Sequence, residues 1–307
     1  MTPERTRVLE FGEERTVGAV LAVFRRGGGD PTTRTEGRWS GTWWVAWPTP
    51  DGPVTGRFTQ ASESRVEVSA WGAGAAWLLE QSYALLGGHD DVTGFVAHHP
   101  QVAEAWRRLP GWRVPRSGLV VHSLVPAVIE QKVTGQEAFG GQRRLVYTYG
   151  TPAPGPGEEL GLVVAPDAAG WAAIPSWEWL RSSVDSARAD TIMRALVSPG
   201  RLEECVRLPL PDAHRRLRSI RGIGVWTSAE TAQRALGDAD AVSFGDYHVA
   251  KNIGWALVGE EIDDDALAEL LEPYAGHRYR VQRLLELVGA RRPRRGARMA
   301  PRTHLPR

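Results

Sequence analysis

Two glycines two residues apart, Gly222 and Gly224, separate one helical face from the next, and they restrict the fold of this chain more than any other feature. His214 to Ile220 keeps its apolar residues on one helical face, and Val225 to Leu236 resumes the same period. Between them Leu217-Arg218-Ser219-Ile220-Arg221-Gly222-Ile223-Gly224 reads as a tight turn joining two helices, with glycines where positive φ or close backbone approach is needed. The amides of Gly222, Gly224, Val225 and Trp226 then fall at a helix N-terminus, where unpaired N–H groups and the helix dipole favour an anion. Such a turn suits a nucleic-acid phosphate gripped without reading sequence. Taken alone, a G-x-G turn is common. Here it is followed by an apolar approach to a carboxylate, Val242-Ser243-Phe244-Gly245-Asp246-Tyr247-His248-Val249, arriving where the second helix has ended.

These two segments resemble the helix–hairpin–helix DNA glycosylase superfamily, and specifically the bacterial 3-methyladenine DNA glycosylase II family. In that family a single aspartate follows the hairpin at the mouth of a base-binding pocket, and Asp246 matches it. Three more stretches carry the resemblance. Pro110-Gly111-Trp112-Arg113-Val114-Pro115-Arg116 is similar to the entry of the family's helical lobe. His122 to Gly150, centred on Glu130-Gln131-Lys132-Val133-Thr134, is similar to the helix and turn bearing its DNA-wedging residue. Val184 to Ile192 is similar to the segment before the hairpin. In order and spacing these cover most of residues 89 to 290.

The resemblance implies a mainly α fold: a helical helix–hairpin–helix body in two lobes, with a small N-terminal α+β lobe built on an antiparallel sheet. It implies that Asp246 is catalytic and that Trp226 and Tyr247 line the base pocket. Glu230 and Leu285 stand where well-known members carry pocket aromatics. Gly222, Gly224, Arg221, Val225, Gln131, Lys132 and Lys251 become the DNA contacts. Lys132 takes the wedge position, where relatives often have Leu, Gln or Asn, and it is alternatively a phosphate contact. The backbone carbonyls of Arg218, Ile220 and Ile223 match those that hold a monovalent cation, Na+ or K+, at the hairpin. Lyase-capable relatives place a Schiff-base lysine two residues after the last hairpin glycine. Trp226 occupies that position here, so a monofunctional enzyme is expected.

The chemistry follows from charge. Breaking an N-glycosidic bond builds positive charge on deoxyribose, and one carboxylate near C1′ both stabilises that charge and activates water. No second acid stands near Asp246 in sequence to protonate a leaving base. That favours purines alkylated on a ring nitrogen, already cationic and stackable on electron-rich rings once flipped from the duplex. Plainer meanings compete. Asp246 is also a suitable helix N-cap, Trp226 a core residue, and Lys251 a solvated cation. Glu230, four residues after Trp226, either enters the pocket, where it favours a cationic base or acts as an acid if burial raises its pKa, or is a solvated helix residue. His248 reads as an ordinary helix residue, and Trp43, Trp44 and Trp47 as sheet core. Two other functions stand beside alkylpurine excision: a glycosylase for oxidised or deaminated bases, and a non-catalytic damage sensor.

Composition bounds the rest. Thirty-seven Lys and Arg against 36 Asp and Glu leave a net charge of +1 in 307 residues, so any basic surface is local. Only two residues are lysine, Lys132 and Lys251. The single cysteine, Cys205, excludes a disulfide framework and a four-cysteine iron–sulfur cluster, and the scattered histidines offer no zinc set. No leader or membrane span is evident, so a soluble, cytoplasmic protein is expected; the resemblance implies a nucleoid-associated monomer acting on double-stranded DNA with a damaged base. Residues 1–87 are expected to form the α+β lobe, with a seam at Gly87-Gly88-His89-Asp90, while residues 1–12 carry no clear signal. A helix over 16–25 capped by Thr16, strands over 38–47, 54–60 and 65–71, an Asp51-Gly52 turn and a helix over 75–86 are expected within it. Residues 88–290 form the helical body, one lobe 119–236 and the other 88–118 with 237–290. Its helices are expected over 93–108, 119–139, 143–149, 175–180, 185–196, 202–208, 249–257, 263–271 and 278–287. From Arg291 the arginine- and proline-rich tail reads as disordered, with weak sequence-independent attraction for DNA.

Overall fold

A computed structural model describes residues 4–37 and 41–293. The chain opens with β1 (Arg5–Glu10) and a short helix α1 (Val17–Leu21) that runs into a 3-10 turn. Then come β2 (Thr33–Glu36), β3 (Thr42–Thr49), β4 (Gly52–Gln60) and β5 (Arg65–Trp71). They form an antiparallel sheet in the order β1-β5-β4-β3-β2. The Asp51-Gly52 hairpin forms as expected, with Thr49 paired to Gly52 and Gly52 at φ +115°. β1 and β2 are the sheet's edges. The first four of the six β1 residues are all exposed, so no alternating pattern marks that strand. The strand expected from Arg38 begins at Thr42, and residues 38–40 lie outside those described. Thr16 makes no side-chain cap to α1; the Gln60 side chain accepts the Val17 amide instead.

Both faces of the sheet are covered. Trp43, Val45 and Trp47 join the core with α1 and α2 (Ala75–Leu85), while Trp44, Ala46 and Trp71 pack on Leu162 and Val164. The latter come from a two-stranded ribbon, β6 (Thr151–Pro152) and β7 (Val163–Val164), flanking α6 (Pro156–Glu159). Trp43, Trp44 and Trp47 therefore are sheet core, as expected.

The helical body begins later than its periodicity suggests. α3 spans Pro100–Arg108, not Thr93 onward, because Pro100 opens the helix and Gly94 sits at φ +79°. α4 (Val120–Ile129) and α5 (Gly135–Tyr149) are separate helices, whereas one helix to Phe139 was expected. The break falls at Glu130–Thr134, where Lys132 has φ +54° and Thr134 and Glu137 form a capping box for α5. Gly140-Gly141 does not interrupt α5. A Cβ at Gly141 would lie 2.1 Å from the Ser182 carbonyl, so that glycine serves close approach inside a helix. α7 (Ala168–Ala172), α8 (Ser176–Arg181), α9 (Ser186–Ala195), α10 (Pro199–Glu203) with a 3-10 turn, α11 (Leu210–Arg218) and α12 (Val225–Ala235) follow. α13 (Val249–Val258), α14 (Asp264–Leu271) and α15 (Arg278–Leu287) complete the body.

Three cores organise these elements. One extends from the sheet through Trp112 and Val114 to Tyr279 and Leu284 of α15. A second joins α4, α5, α8, α9, α11 and α12, and a third joins Val102 to α13, α14 and α15. At the 87–90 seam, Arg280 donates twice to Asp90, at 2.8 and 2.7 Å, and the Val114 amide donates to the same carboxylate. Arg292 bonds Glu261 at 2.6 Å, so the first residues of the tail lie against the body; the remainder, from residue 294, falls outside those described. Among the described residues no helix is long and apolar enough to cross a membrane.

Candidate active site

The hairpin is held from below and braced from the side. Leu217 and Ile223 are buried in the second core, which fixes the turn between α11 and α12. Gly222 has φ +102°, and a Cβ there would lie 2.2 Å from Thr191 Oγ1, so both conformation and space require glycine. The Gln131 amide donates to the Gly222 carbonyl at 3.0 Å and to Thr227 Oγ1 at 2.7 Å. Arg194 donates to the Arg221 carbonyl at 3.0 Å. Gly224 caps α12 with extended backbone and no side-chain partner, leaving the first amides of α12 without an intrahelical acceptor. Arg218 and Arg221 are exposed beside them, so the basic surface is local, as the balanced composition requires.

Asp246 stands where this hairpin meets the next helix. Gly245, at φ +88°, turns the chain, and its amide is held by Asp264 at 2.8 Å. Asp246 Oδ1 then accepts the amides of His248 at 2.7 Å and Val249 at 3.1 Å, at the head of α13. Its Oδ2 accepts the Trp226 indole N–H at 3.2 Å. The carboxylate thus links the N-terminal turns of α12 and α13 and stays partly exposed. Capping and an open site coexist on one side chain.

Two sequence expectations change. Glu230 is neither a pocket wall nor solvated: it is buried, ion-paired to Arg234 at 2.7 Å and accepts the Ser243 hydroxyl at 2.6 Å. Burial pushes its carboxyl up, but Arg234, Ser243 and Arg26 outweigh that and hold it below the usual range, so it is no proton donor. Leu285 is buried in the third core among Val242, Val249 and Ile253, beneath the site rather than lining it. Tyr247 is 68% exposed, and its ring meets His248, the Lys251 ammonium at 3.8 Å and Arg292. Lys251 is accordingly engaged on an aromatic face beside the α13 terminus. Gln131 is a brace of the hairpin, whereas Lys132 beside it is exposed at the tip of the turn.

One buried acid beside the hairpin brace was not singled out by sequence. Glu130 ends α4 immediately before Gln131, and its carboxylate pairs with Arg26 of the N-terminal lobe at 2.6 Å. Burial pushes this carboxyl up; Arg26 and Arg234 pull it down, and the carboxylates of Glu230 and Asp246 push it further up, leaving it raised.

Among the described residues no group of three His, Cys, Asp or Glu side chains is placed to hold a metal. In the hairpin the Ile220 carbonyl accepts the Ile223 amide at 3.0 Å. A cavity of about 430 Å³ opens between α11, α12 and the 240–244 connection. It lies on the α12 face of Val225 and Ala229, away from the Trp226 and Glu230 face, and Asp246 is not in its wall.

No protein-family model matches the chain, and no curated protein matches it in sequence. Solved structures do resemble it. A 3-methyladenine DNA glycosylase from Archaeoglobus fulgidus is similar with a TM-score of 0.76 and 18% identity, covering 91% of this chain and 97% of that one. The apo form of Clostridium acetobutylicum 8-oxoguanine glycosylase/lyase has a TM-score of 0.68 and 12% identity, covering 93% and 98%. The same enzyme bound to double-stranded DNA with cytosine opposite 8-oxoguanine has a TM-score of 0.67 and 11% identity, covering 94% and 98%. The chain therefore has the helix–hairpin–helix DNA glycosylase fold.

Proposed function

We propose that the protein is a monofunctional DNA N-glycosylase that removes alkylated purines of the 3-methyladenine type. The observation that carries this is the partly exposed Asp246 carboxylate, fixed by three N–H donors between the heads of α12 and α13 and beside the glycine hairpin. In this reading the exposed amides of Gly224 and Val225, with Arg221 and Arg218, hold a phosphate of the damaged strand. A monovalent cation on the Arg218, Ile220 and Ile223 carbonyls would add positive charge behind that phosphate. Lys251 tracks the backbone from α13, and Lys132 enters the space vacated by the flipped nucleotide. Trp226 offers its face to a cationic base while its N–H orients Asp246.

As the C1′–N bond lengthens, Asp246 stabilises the oxocarbenium-like sugar and accepts a proton from the incoming water. Lyase chemistry needs an amine at the sugar, and Trp226 fills the position where the resembling family places it. Duplexes carrying 3-methyladenine, 7-methylguanine, hypoxanthine or 8-oxoguanine, followed by alkali, test this. Release of the alkylated purines with alkali-dependent strand scission is expected. Asp246→Asn, which keeps an oxygen for the α13 amides, should still bind DNA yet lose about 10³-fold or more in excision. Full activity of that variant, or release of no base by the wild type, would overturn the reading; scission without alkali would restore a lyase.

A further inference from the structure

Tyr247 carries two cations on one exposed ring. The Lys251 ammonium lies 3.8 Å from the ring centroid and the Arg292 guanidinium carbon 5.7 Å, both within cation–π range. The ring is 68% exposed, with the His248 imidazole edge-on to it at 4.9 Å. Arg292 is held elsewhere as well. Its amide donates to Asn252 Oδ1 at 3.3 Å, and its Nη1 donates to Glu261 Oε2 at 2.6 Å. That ion pair leaves other N–H groups of the guanidinium fork for a second acceptor. A long cationic side chain loses conformational entropy when it grips a ligand, and the ring restrains both of these in advance.

The place of the ring beside Asp246 gives the cations a use. Tyr247 follows Asp246 directly, and Asp246 bonds the head of α13 through Oδ1 and Trp226 of α12 through Oδ2. The hairpin amides of Gly224 and Val225 therefore lie on the α12 side of the carboxylate, and the two cations lie on its α13 side. A nucleotide drawn out of the duplex to Asp246 has one phosphate before it and one after it. The Lys251 ammonium also sits at stacking distance over the face it covers, where a base would have to lie.

We infer that Lys251 and Arg292 form a second phosphate-binding site on the α13 side of Asp246, with Tyr247 as its positioning residue. This rests on the DNA-binding part of the glycosylase reading above, and it assigns Arg292 as well as Lys251 to the strand. Tyr247 acts through the two cations and is not a wall of the base pocket. The ligand is a phosphodiester in any sequence, because neither cation reads a base edge.

The test measures binding of undamaged duplex DNA by the full chain across a salt series, and single-turnover excision of 7-methylguanine across enzyme concentration. Lys251→Gln and Arg292→Gln should each flatten the dependence of log affinity on log salt by about 1 in slope. Tyr247→Leu, which keeps both cations, should weaken binding about 5-fold or more, while Tyr247→Phe, which keeps the ring, should stay within about 2-fold of wild type. With Lys251→Gln and Arg292→Gln already present, Tyr247→Leu should add almost nothing, because it acts through the cations. In excision its loss should fall on the half-saturating enzyme concentration more than on the plateau rate. A loss confined to the plateau rate, with duplex binding intact, would return Tyr247 to the base pocket and overturn the proposal. So would an unchanged salt slope in Arg292→Gln, or equal effects of Tyr247→Leu with and without the cations. Duplex binding with no base released would sink the glycosylase reading and leave this site standing. No duplex binding by wild type would sink both. The two charge variants decide the matter even where Tyr247→Leu fails to fold.

Discussion

The two oxygens of Asp246 answer to different elements, and this makes the Trp226 indole separable from the helix cap. Oδ1 is committed to the His248 and Val249 amides, so the carboxylate stays at the head of α13 whatever α12 presents. Oδ2 has the indole N–H alone. Trp226→Phe keeps an aromatic face for the base and removes only that donor. A hydrogen bond to a charged group is worth about 1.5–3 kcal/mol, so single-turnover excision should fall about 10-fold or more with duplex binding nearly unchanged. Wild-type excision rates in that variant would show that the indole does not orient the carboxylate. The resemblance singled out Asp246 and Trp226 close to the hairpin, and the structure joins the two side chains by the indole hydrogen bond. The setting of Glu230 was not legible, although its signal was present: Arg234 follows it by four residues, the spacing at which helical ion pairs form. Helix-face reasoning put Glu230 beside Trp226 but did not show that α4 and the N-terminal lobe cover that face. Glu130 lies within the Glu130–Thr134 segment, but its ion pair with Arg26 joins it to a lobe that the local sequence does not contain.

At the scale of elements, the hairpin depends on one glycine for two separate reasons. The φ of +102° at Gly222 strains any L side chain by about 1–2 kcal/mol, and the collision with Thr191 of α9 adds an overpacking cost of similar size. Gly222→Ala should therefore lose about 2–4 kcal/mol of stability in urea and weaken DNA binding measured by anisotropy at fixed salt. Adding Thr191→Ala should return the collision part and not the backbone part. Complete rescue by the double variant would mean the turn relaxes its φ. Elements with their own punctuation were legible: the hairpin, β5 and α15 fall where periodicity and turn residues place them. The α4–α5 break was misplaced because a glycine pair outweighed the Thr134–Glu137 capping box. A glycine inside a helix signals either a break or a close neighbour, and only the Ser182 carbonyl across α5 distinguishes the two. β1 carried no alternation because its first four residues are all exposed, and β2 is only four polar residues long, so its alternating burial left no apolar signal.

Across the whole molecule, buried polar contacts tie the sheet lobe to the helices that carry the site. Arg26 reaches Glu130, the Arg234 guanidinium reaches the Val23 carbonyl, and Arg280 reaches Asp90. None of these was legible, since each joins residues more than 100 positions apart, and local periodicity contains no information about them. His122 reports on this junction. It sits on α4 with its ring 5.5 Å from that of Trp47 in β3, and burial together with the Arg26 guanidinium pushes its pKa down to about 4. The unfolded chain protonates this histidine near its ordinary value of about 6.5, while the folded chain resists until about pH 4. Between those values the unfolded state binds more protons, so this contribution to stability is present in full above pH 6.5 and declines on acidification. The loss is on the order of 2 kcal/mol by pH 4, the full shift being trimmed by solvent at the partly exposed ring. Denaturant titrations at several pH values between 4 and 7 measure it. His122→Phe, which keeps an aromatic ring on Trp47, should flatten that slope relative to wild type, the carboxylates being common to both. An equal slope in the two proteins would place His122 in contact with water and remove it from the junction.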